Sequence, residues 1–249
     1  MPLTPSPPTE HSVGRFIHAF TASGIVVGML ALIGVLDGSP RLAVLLLVLA
    51  QLIDGIDGPL ARRYDIATAM PRYDGEVLDL VIDYVTCVLV PATFAWQFHA
   101  LPHNVAGEIT VALMLTTSAL WFSRTDMMTP DHWFRGFPGV WNLIVPTLWL
   151  LHSPEDITVM ALVGLSVLSM SDVEFPHPVQ VVRMRRATIS ITTIWIGTIV
   201  VLTLLDAPSP NVLTVSLLLL GLLWNGFLAV SRAMEARSDA PVTPFVENR

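Results

Sequence analysis

The chain has 249 residues, of which 53% are hydrophobic and only 13% charged, with a formal charge of −7 and a mean hydropathy of +0.65. A soluble domain of this size carries about a quarter charged residues, so the composition excludes an ordinary soluble domain, and nothing in the charge balance suggests a nucleic-acid partner. All 13 basic residues are Arg, and the single Cys87, set in an apolar run, excludes an internal disulfide and reads as a buried thiol.

In chain order, residues 1–12 (MPLTPSPPTEHS) are rich in Pro and polar side chains and read as a disordered tail. The apolar run behind them is too long for a signal peptide and shows no small-residue cleavage site. A span needs about 20 apolar residues. Eight segments qualify as predicted spans: 16–36, 42–62, 77–98, 105–124, 137–152, 156–173, 187–205 and 211–231. The fifth is short and contains Pro146, so counts of seven or six stay open. The membrane-embedded domain is expected over 13–234, with a second tail at 235–249. No internal repeat and no soluble domain are visible.

The arginines give an independent reading. With eight spans and an inside N-terminus, 12 of the 13 fall on one side and only Arg41 on the other. That is the positive-inside pattern, and it predicts two cytoplasmic termini. The segment GIVVG, Gly24–Gly28, has the spacing of a close helix contact and offers slight support for a dimer. His177 has no partner at metal-ligand spacing. Arg183, Arg185 and Arg186 read as topological anchors, and Arg135 reads equally as an anchor or a phosphate contact.

Seven acids crowd the junction of the second and third spans: Asp54, Asp57, Asp65, Asp74, Glu76, Asp79 and Asp83. Asp54 and Asp57 are three apart at the inner end of one predicted helix. Asp79 and Asp83 are four apart at the inner start of the next. Each pair shares a helix face, and the two faces can meet just below the cytoplasmic surface. Ionised carboxylates there need partners. All-oxygen donors suit hard cations, Mg²⁺ or Mn²⁺, and four of them suit a pair of ions serving displacement at phosphorus. Gly55, Gly58 and Gly75 leave room for close approach. Arg62 stands one turn beyond Gly58, placed to grip a phosphate.

The run Asp54-Gly55-Ile56-Asp57-Gly58-Pro59-Leu60-Ala61-Arg62, followed by Gly75 and then Asp79 and Asp83 at four-residue steps, resembles the signature of the CDP-alcohol phosphatidyltransferases. Twelve residues separate Arg62 from Gly75, where most members have eight. That spacing, with the blocks at Pro71–Ala92, Phe134–Asn142 and His177–Arg186, is similar to the bacterial phosphatidylcholine synthase branch.

The resemblance implies an all-α integral membrane protein, with about eight helices around a six-helix core, in a bacterial inner membrane. It implies that Asp54, Asp57, Asp79 and Asp83 hold two divalent ions, Mn²⁺ or Mg²⁺. It implies that Arg62 grips the pyrophosphate of CDP-diacylglycerol and that Gly58, Ala61 and Gly75 shape the cytidine slot. Asp83 would also act as general base on choline, giving phosphatidylcholine and CMP. The members are usually homodimers.

A quaternary ammonium is best read by aromatic faces. The inner-side candidates are Trp141 first, then Tyr84 and Tyr73, with Trp133, Phe134 and Phe175 behind them and Asp126 or Glu174 as counter-charge. Three alternatives remain: a sister enzyme with another acceptor (glycerol phosphate, serine or inositol phosphate), a membrane prenyltransferase, and an ion-coupled transporter.

Overall fold

The computed structural model describes residues 8–64, 73–205 and 211–238. Among the described residues eight helices follow one another: α1 Pro8–Leu36, α2 Pro40–Arg63, α3 Gly75–Gln97, α4 Val105–Phe122, α5 Trp141–Leu150, α6 Glu155–Ser169, α7 Arg185–Leu205 and α8 Val212–Ser238. Two short strands, β1 Trp133–Arg135 and β2 Glu174–Pro176, pair antiparallel with Phe134 opposite Phe175. Helix α1 begins inside the expected N-terminal tail, and residues 1–7 lie outside the described ones, as do Asp65, Arg72, Asp206 and residues 239–249.

Each of the eight predicted segments contains a helix, but they are not equal. Six (α1, α2, α3, α4, α7 and α8) are long and apolar enough to cross a membrane, so the chain is a multi-pass membrane protein. Helices α5 and α6 have 10 and 15 residues, about 15 and 22 Å at 1.5 Å per residue, short of a 30 Å hydrocarbon core. The expected eight helices are present among the described residues: six have the length of a full crossing, and the shorter pair α5 and α6 lies between α4 and α7. Because the short elements come as a pair, the sidedness of every other helix is unchanged.

One apolar cluster holds the bundle together, with Val44, Leu47, Phe94, Trp141, Trp195 and Ile199 fully or nearly fully buried. The outward faces carry exposed large apolar side chains such as Leu30, Leu52, Met160 and Leu204, the pattern of a lipid-facing surface. Several hydroxyl groups inside this apolar setting are satisfied locally, although those of Thr158, Ser166 and Thr192 are buried without a partner among the described residues. Thr86, Thr110, Thr147, Thr198 and Thr203 each donate to the carbonyl four residues back. Indole N–H groups tie helix to helix, as where Trp195 donates to Thr147 at 3.0 Å.

Helix α3 changes character in the middle. Residues Tyr84–Leu89 form a π-helical turn, with Val90 N–H reaching the Val85 carbonyl. Pro91 follows; it has no N–H for the Cys87 carbonyl and crowds it, and such inserts widen a helix. The turn begins directly after Asp83.

The loops at one end of the bundle form a cap. Arg124 holds Asp126 at 3.0 Å and Asp172 at 3.4 Å, and Arg135 holds Asp126 at 3.1 Å. Arg232, near the end of α8, holds Glu174 at 2.6 Å and Asp131 at 2.8 Å and lies over the Trp133 ring. Gly136 has φ +83° and sits where a Cβ would strike the Ser169 carbonyl, so only glycine fits there. The same end receives Arg62, which acts electrostatically on His177. Burial first, then Arg62 and His132, push the His177 pKa down to about 4. Its Nδ1 accepts from the N–H groups of Val179 and Gln180, so it is a neutral loop cap stacked on Phe134.

Gly24 and Gly28 contact a helix, but within the chain. A Cβ on Gly24 would lie 3.0 Å from Ile82, and one on Gly28 would lie 2.9 Å from Thr86. These glycines let α1 pack against α3, which corrects their reading as a dimer contact. Replacing Gly28 by Leu is expected to cost about 1–3 kcal/mol by overpacking and to lower the melting temperature in detergent. Gly164→Leu, on an exposed helix face with nothing within 4 Å of its Cβ position, is expected to leave it unchanged. Equal melting of both variants would show that the α1–α3 seam is not tight.

His177 gives a second test. Its folded pKa lies below the unfolded value of about 6.5, so the stability it contributes is full above that value and is lost as pH falls towards 4. The fall in melting temperature between pH 7 and pH 4 should be shallower in His177→Gln than in the parent; parallel curves would contradict it.

Candidate active site

The seven acids separate into different jobs. Asp74 caps α3: its Oδ1 accepts from the N–H of Glu76 at 3.0 Å and of Val77 at 3.2 Å. Glu76 is exposed in the first turn, where the helix dipole favours an acid. Neither is a site residue. Asp54, Asp57 and Asp79 converge, each offering a carboxylate oxygen within 4.8 Å of the others. Helical spacing brings Asp54 and Asp57 to one face of α2, and the antiparallel start of α3 delivers Asp79 to the same spot.

Asp83 lies one turn further along α3, outside that trio. Its Oδ1 is met by the Cys87 thiol at 3.9 Å. The expected four-carboxylate set is thus three in close convergence and a fourth beside it. Cys87 is buried, as its sequence context implied.

Arg62 folds back along α2. Its Nη1 lies 3.3 Å from where a Gly58 Cβ would stand, and it acts electrostatically on Asp57. Pro59 lies inside the same helix and supplies no N–H, so the Gly55 carbonyl lacks its usual helical partner. The Cβ position of Gly55 faces open space, and that of Gly75 meets only the His18 ring, at 3.4 Å. Ala61 is half-buried on the last turn. The small residues therefore border an accessible surface beside the acids.

The aromatic candidates fare differently. Trp141 has no exposed surface; it packs on Phe137 and its N–H donates to Ser118 at 2.8 Å. A fully buried indole presents no face to a cation, so Trp141 is corrected to a core residue. Trp133 is covered by Arg232, Phe134 by His177, and Phe175 packs on Phe137. Asp126 and Glu174 are held by arginines and do not serve as open counter-charges; the Arg124 and Arg135 hydrogen bonds pull the Asp126 pKa down to about 2. Arg135 spends its charge on Asp126. Tyr73 is exposed beside His18. Tyr84, next to Asp83, is half-buried, donates to the Leu115 carbonyl at 3.0 Å and meets Phe122 edge-on.

Four polar residues near the acids escaped the sequence reading. Thr21 on α1 hydrogen-bonds Asp57. His18, one turn earlier, borders Gly75, and its Nε2 is buried with no partner. Gln51 donates to Asp54 at 2.8 Å, and Asn142 donates to Gln51 at 2.6 Å. A signal existed: each is a polar side chain inside an apolar run, and Gln51 stands three residues before Asp54.

The hard oxygen donor set, converging where α2 and α3 meet, fits a divalent cation. Comparison with known proteins places it. The sequence model of the CDP-alcohol phosphatidyltransferase family matches residues 17–171, which contain the acids, Arg62, Gln51 and Asn142. Among curated proteins, the chain is 36% identical over 180 residues to a phosphatidylcholine synthase of Pseudomonas aeruginosa, covering 72% of this chain and 75% of that protein. It is 37% identical over 194 residues to one of Brucella melitensis (77% and 70%) and 38% identical over 188 residues to one of Bradyrhizobium diazoefficiens (76% and 70%). With the family pattern running through the very stretch where the carboxylates converge, the chain belongs to the CDP-alcohol phosphatidyltransferase family.

Proposed function

We propose that this enzyme transfers the phosphatidyl group of CDP-diacylglycerol to choline, giving phosphatidylcholine and CMP. The observation that carries the reading is the convergence of Asp54, Asp57 and Asp79 within 4.8 Å on the family's signature stretch. The relatives named phosphatidylcholine synthase, matched over most of their length, support choline as the acceptor.

The donor set fits two divalent ions, Mn²⁺ or Mg²⁺, held by Asp54, Asp57 and Asp79 with Asp83 beside them. When bound, such ions neutralise the pyrophosphate and polarise the phosphorus. The protein's own groups do the rest. Arg62, lying over Gly58, takes the pyrophosphate oxygens in a bidentate grip. Gly58, Ala61 and Gly75 leave the slot for cytidine. Asp83 takes the proton from the choline hydroxyl as its oxygen forms the bond to the lipid-side phosphorus. The phosphorus–oxygen bond to CMP breaks in line.

The negative field of the acids draws in the choline cation. Tyr84 and Tyr73 are the aromatic faces proposed for it, Trp141 being enclosed in the core. The site lies at the arginine-rich end of the bundle. The positive-inside bias supports a cytoplasmic position for that end and for both termini, and the family resemblance supports a bacterial inner membrane. The homodimer belongs to this reading through the family resemblance.

Purified protein in detergent, given CDP-diacylglycerol, labelled choline and Mn²⁺, is expected to form phosphatidylcholine and CMP, and chelation should abolish both. Asp83→Asn should lower the rate by about 10²–10⁴-fold, the usual contribution of a general base. Turnover of a different alcohol in place of choline would keep the family chemistry and overturn the acceptor. Pyrophosphate release would identify prenyl chemistry, and ion flux in liposomes without CMP would identify a transporter.

A further inference from the structure

The chain of amides behind Asp54 has a direction. An ionised carboxylate only accepts hydrogen bonds, so Asp54 Oδ2 fixes the Gln51 side chain with its nitrogen inward, at 2.8 Å. That turns the Gln51 oxygen towards Asn142, whose nitrogen donates to it at 2.6 Å. Asn142 is buried, and its own oxygen is left as a buried acceptor with no partner. Both amide orientations thus follow from the acid. The arrangement joins two helices, from Asn142 in the first turn of α5 to Gln51 in the middle of α2 and on to Asp54 three residues later.

We infer that Gln51 and Asn142 are positioning residues for the metal site, with Asn142 acting through Gln51 to hold the Asp54 carboxylate in its ligating orientation. The inference rests on the reading of Asp54 as a metal ligand. The physical reason is rotational freedom. A carboxylate crowded by two others within 4.8 Å turns away unless a donor holds one of its oxygens. Gln51 holds Oδ2 and leaves Oδ1 for a cation. A single amide on a flexible stem holds weakly; the second amide, on a buried and packed helix, fixes the first. Partners of this kind behind ligating groups change metal affinity by about 10–100-fold when removed.

The order of the chain makes a distinctive prediction. Gln51→Ala should weaken Mn²⁺ binding by about 10–100-fold, read directly by titration of the ion's paramagnetic resonance signal on the purified protein. Asn142→Ala should weaken it less. The double variant should bind no worse than Gln51→Ala alone, because Asn142 has no route to the acid except through Gln51. Asn142→Asp keeps the shape but replaces the donating nitrogen by an acceptor, so it should resemble Asn142→Ala. In the transfer assay, half-saturating Mn²⁺ should rise while the rate at saturating Mn²⁺ falls far less.

Gln51→Glu, nearly isosteric, guards against a folding failure of the alanine variant and should also bind Mn²⁺ more weakly. Melting in chelator separates packing from positioning: lower melting with parental Mn²⁺ affinity would overturn the inference and make the amides merely structural. Additive losses in the double variant would also overturn the relay. No Mn²⁺ binding by the parent protein would overturn the metal reading itself, and this inference with it.

Discussion

Three carboxylates share a space less than 5 Å across where two largely apolar helices meet. Two ionised groups at 4.8 Å repel by roughly 3–4 kcal/mol at an effective dielectric constant of 20, and three pairs act at once. A bundle of apolar helices has no reason to gather such groups and every reason to separate them. Their presence therefore requires compensation by cations and by donors, and the surrounding structure is arranged to supply both. Thr21 reaches Asp57 from α1, Gln51 reaches Asp54 within α2, and Arg62 curls back over Gly58. The tight seam at Gly24 and Gly28 is what brings α1, and so Thr21, close enough to take part.

Four arginines belong to the cap and its surroundings, and Arg62 to the site. Arg124, Arg135, Arg183 and Arg232 meet Asp126, Asp172, Glu235, Asp131 and Glu174. The cap is thus a lattice of matched charges that joins the loops before α5 and after α6 to the end of α8. Its acids are unavailable to a choline cation, and its bases are unavailable to a pyrophosphate. Arg62 acts on the acid cluster itself, through Asp57. Its single guanidinium does not balance three or four carboxylates. That imbalance favours multivalent cations as the counter-charge, and it leaves a residual negative field suited to a cationic acceptor.

Much of this was legible in the sequence. The spans, the single-sided arginines and the acidic signature are written in composition and spacing, because apolar length and i, i+3 or i, i+4 placement survive without knowledge of packing. What escaped was pairwise. Whether Trp141 is a wall or a core residue depends on Ser118 and Phe137, which sequence distance does not connect. Asp126 and Glu174 look like free acids until their arginines are found. Asn142 lies in the block Phe134–Asn142, beside the larger and aromatic Trp141. Its hydrogen bond to a residue 91 positions away has no local signature. The sixth predicted span is longer than its helix for a simpler reason: hydropathy measures apolar content, while α6 stops at Ser169, where the chain turns into the cap.

The shortness of α5 has a geometric cause tied to the site. Asn142 lies in its first turn and touches Gln51. Gln51 sits 12 residues before the end of α2 at Arg63, about 18 Å along the helix axis at 1.5 Å per residue. Helix α5 therefore starts deep in the bundle, and 10 residues, about 15 Å, carry it through the remaining depth. The segment Gly136–Val140 makes the descent without helix, held where Gly136 and Phe137 donate to the Val173 and Leu168 carbonyls. A full-length span would place its N-terminus at the surface, beside the cap. Starting low brings Asn142, in the first turn of α5, within hydrogen-bond reach of Gln51. The same short helix thus supplies the donor that completes the chain of amides leading to Asp54.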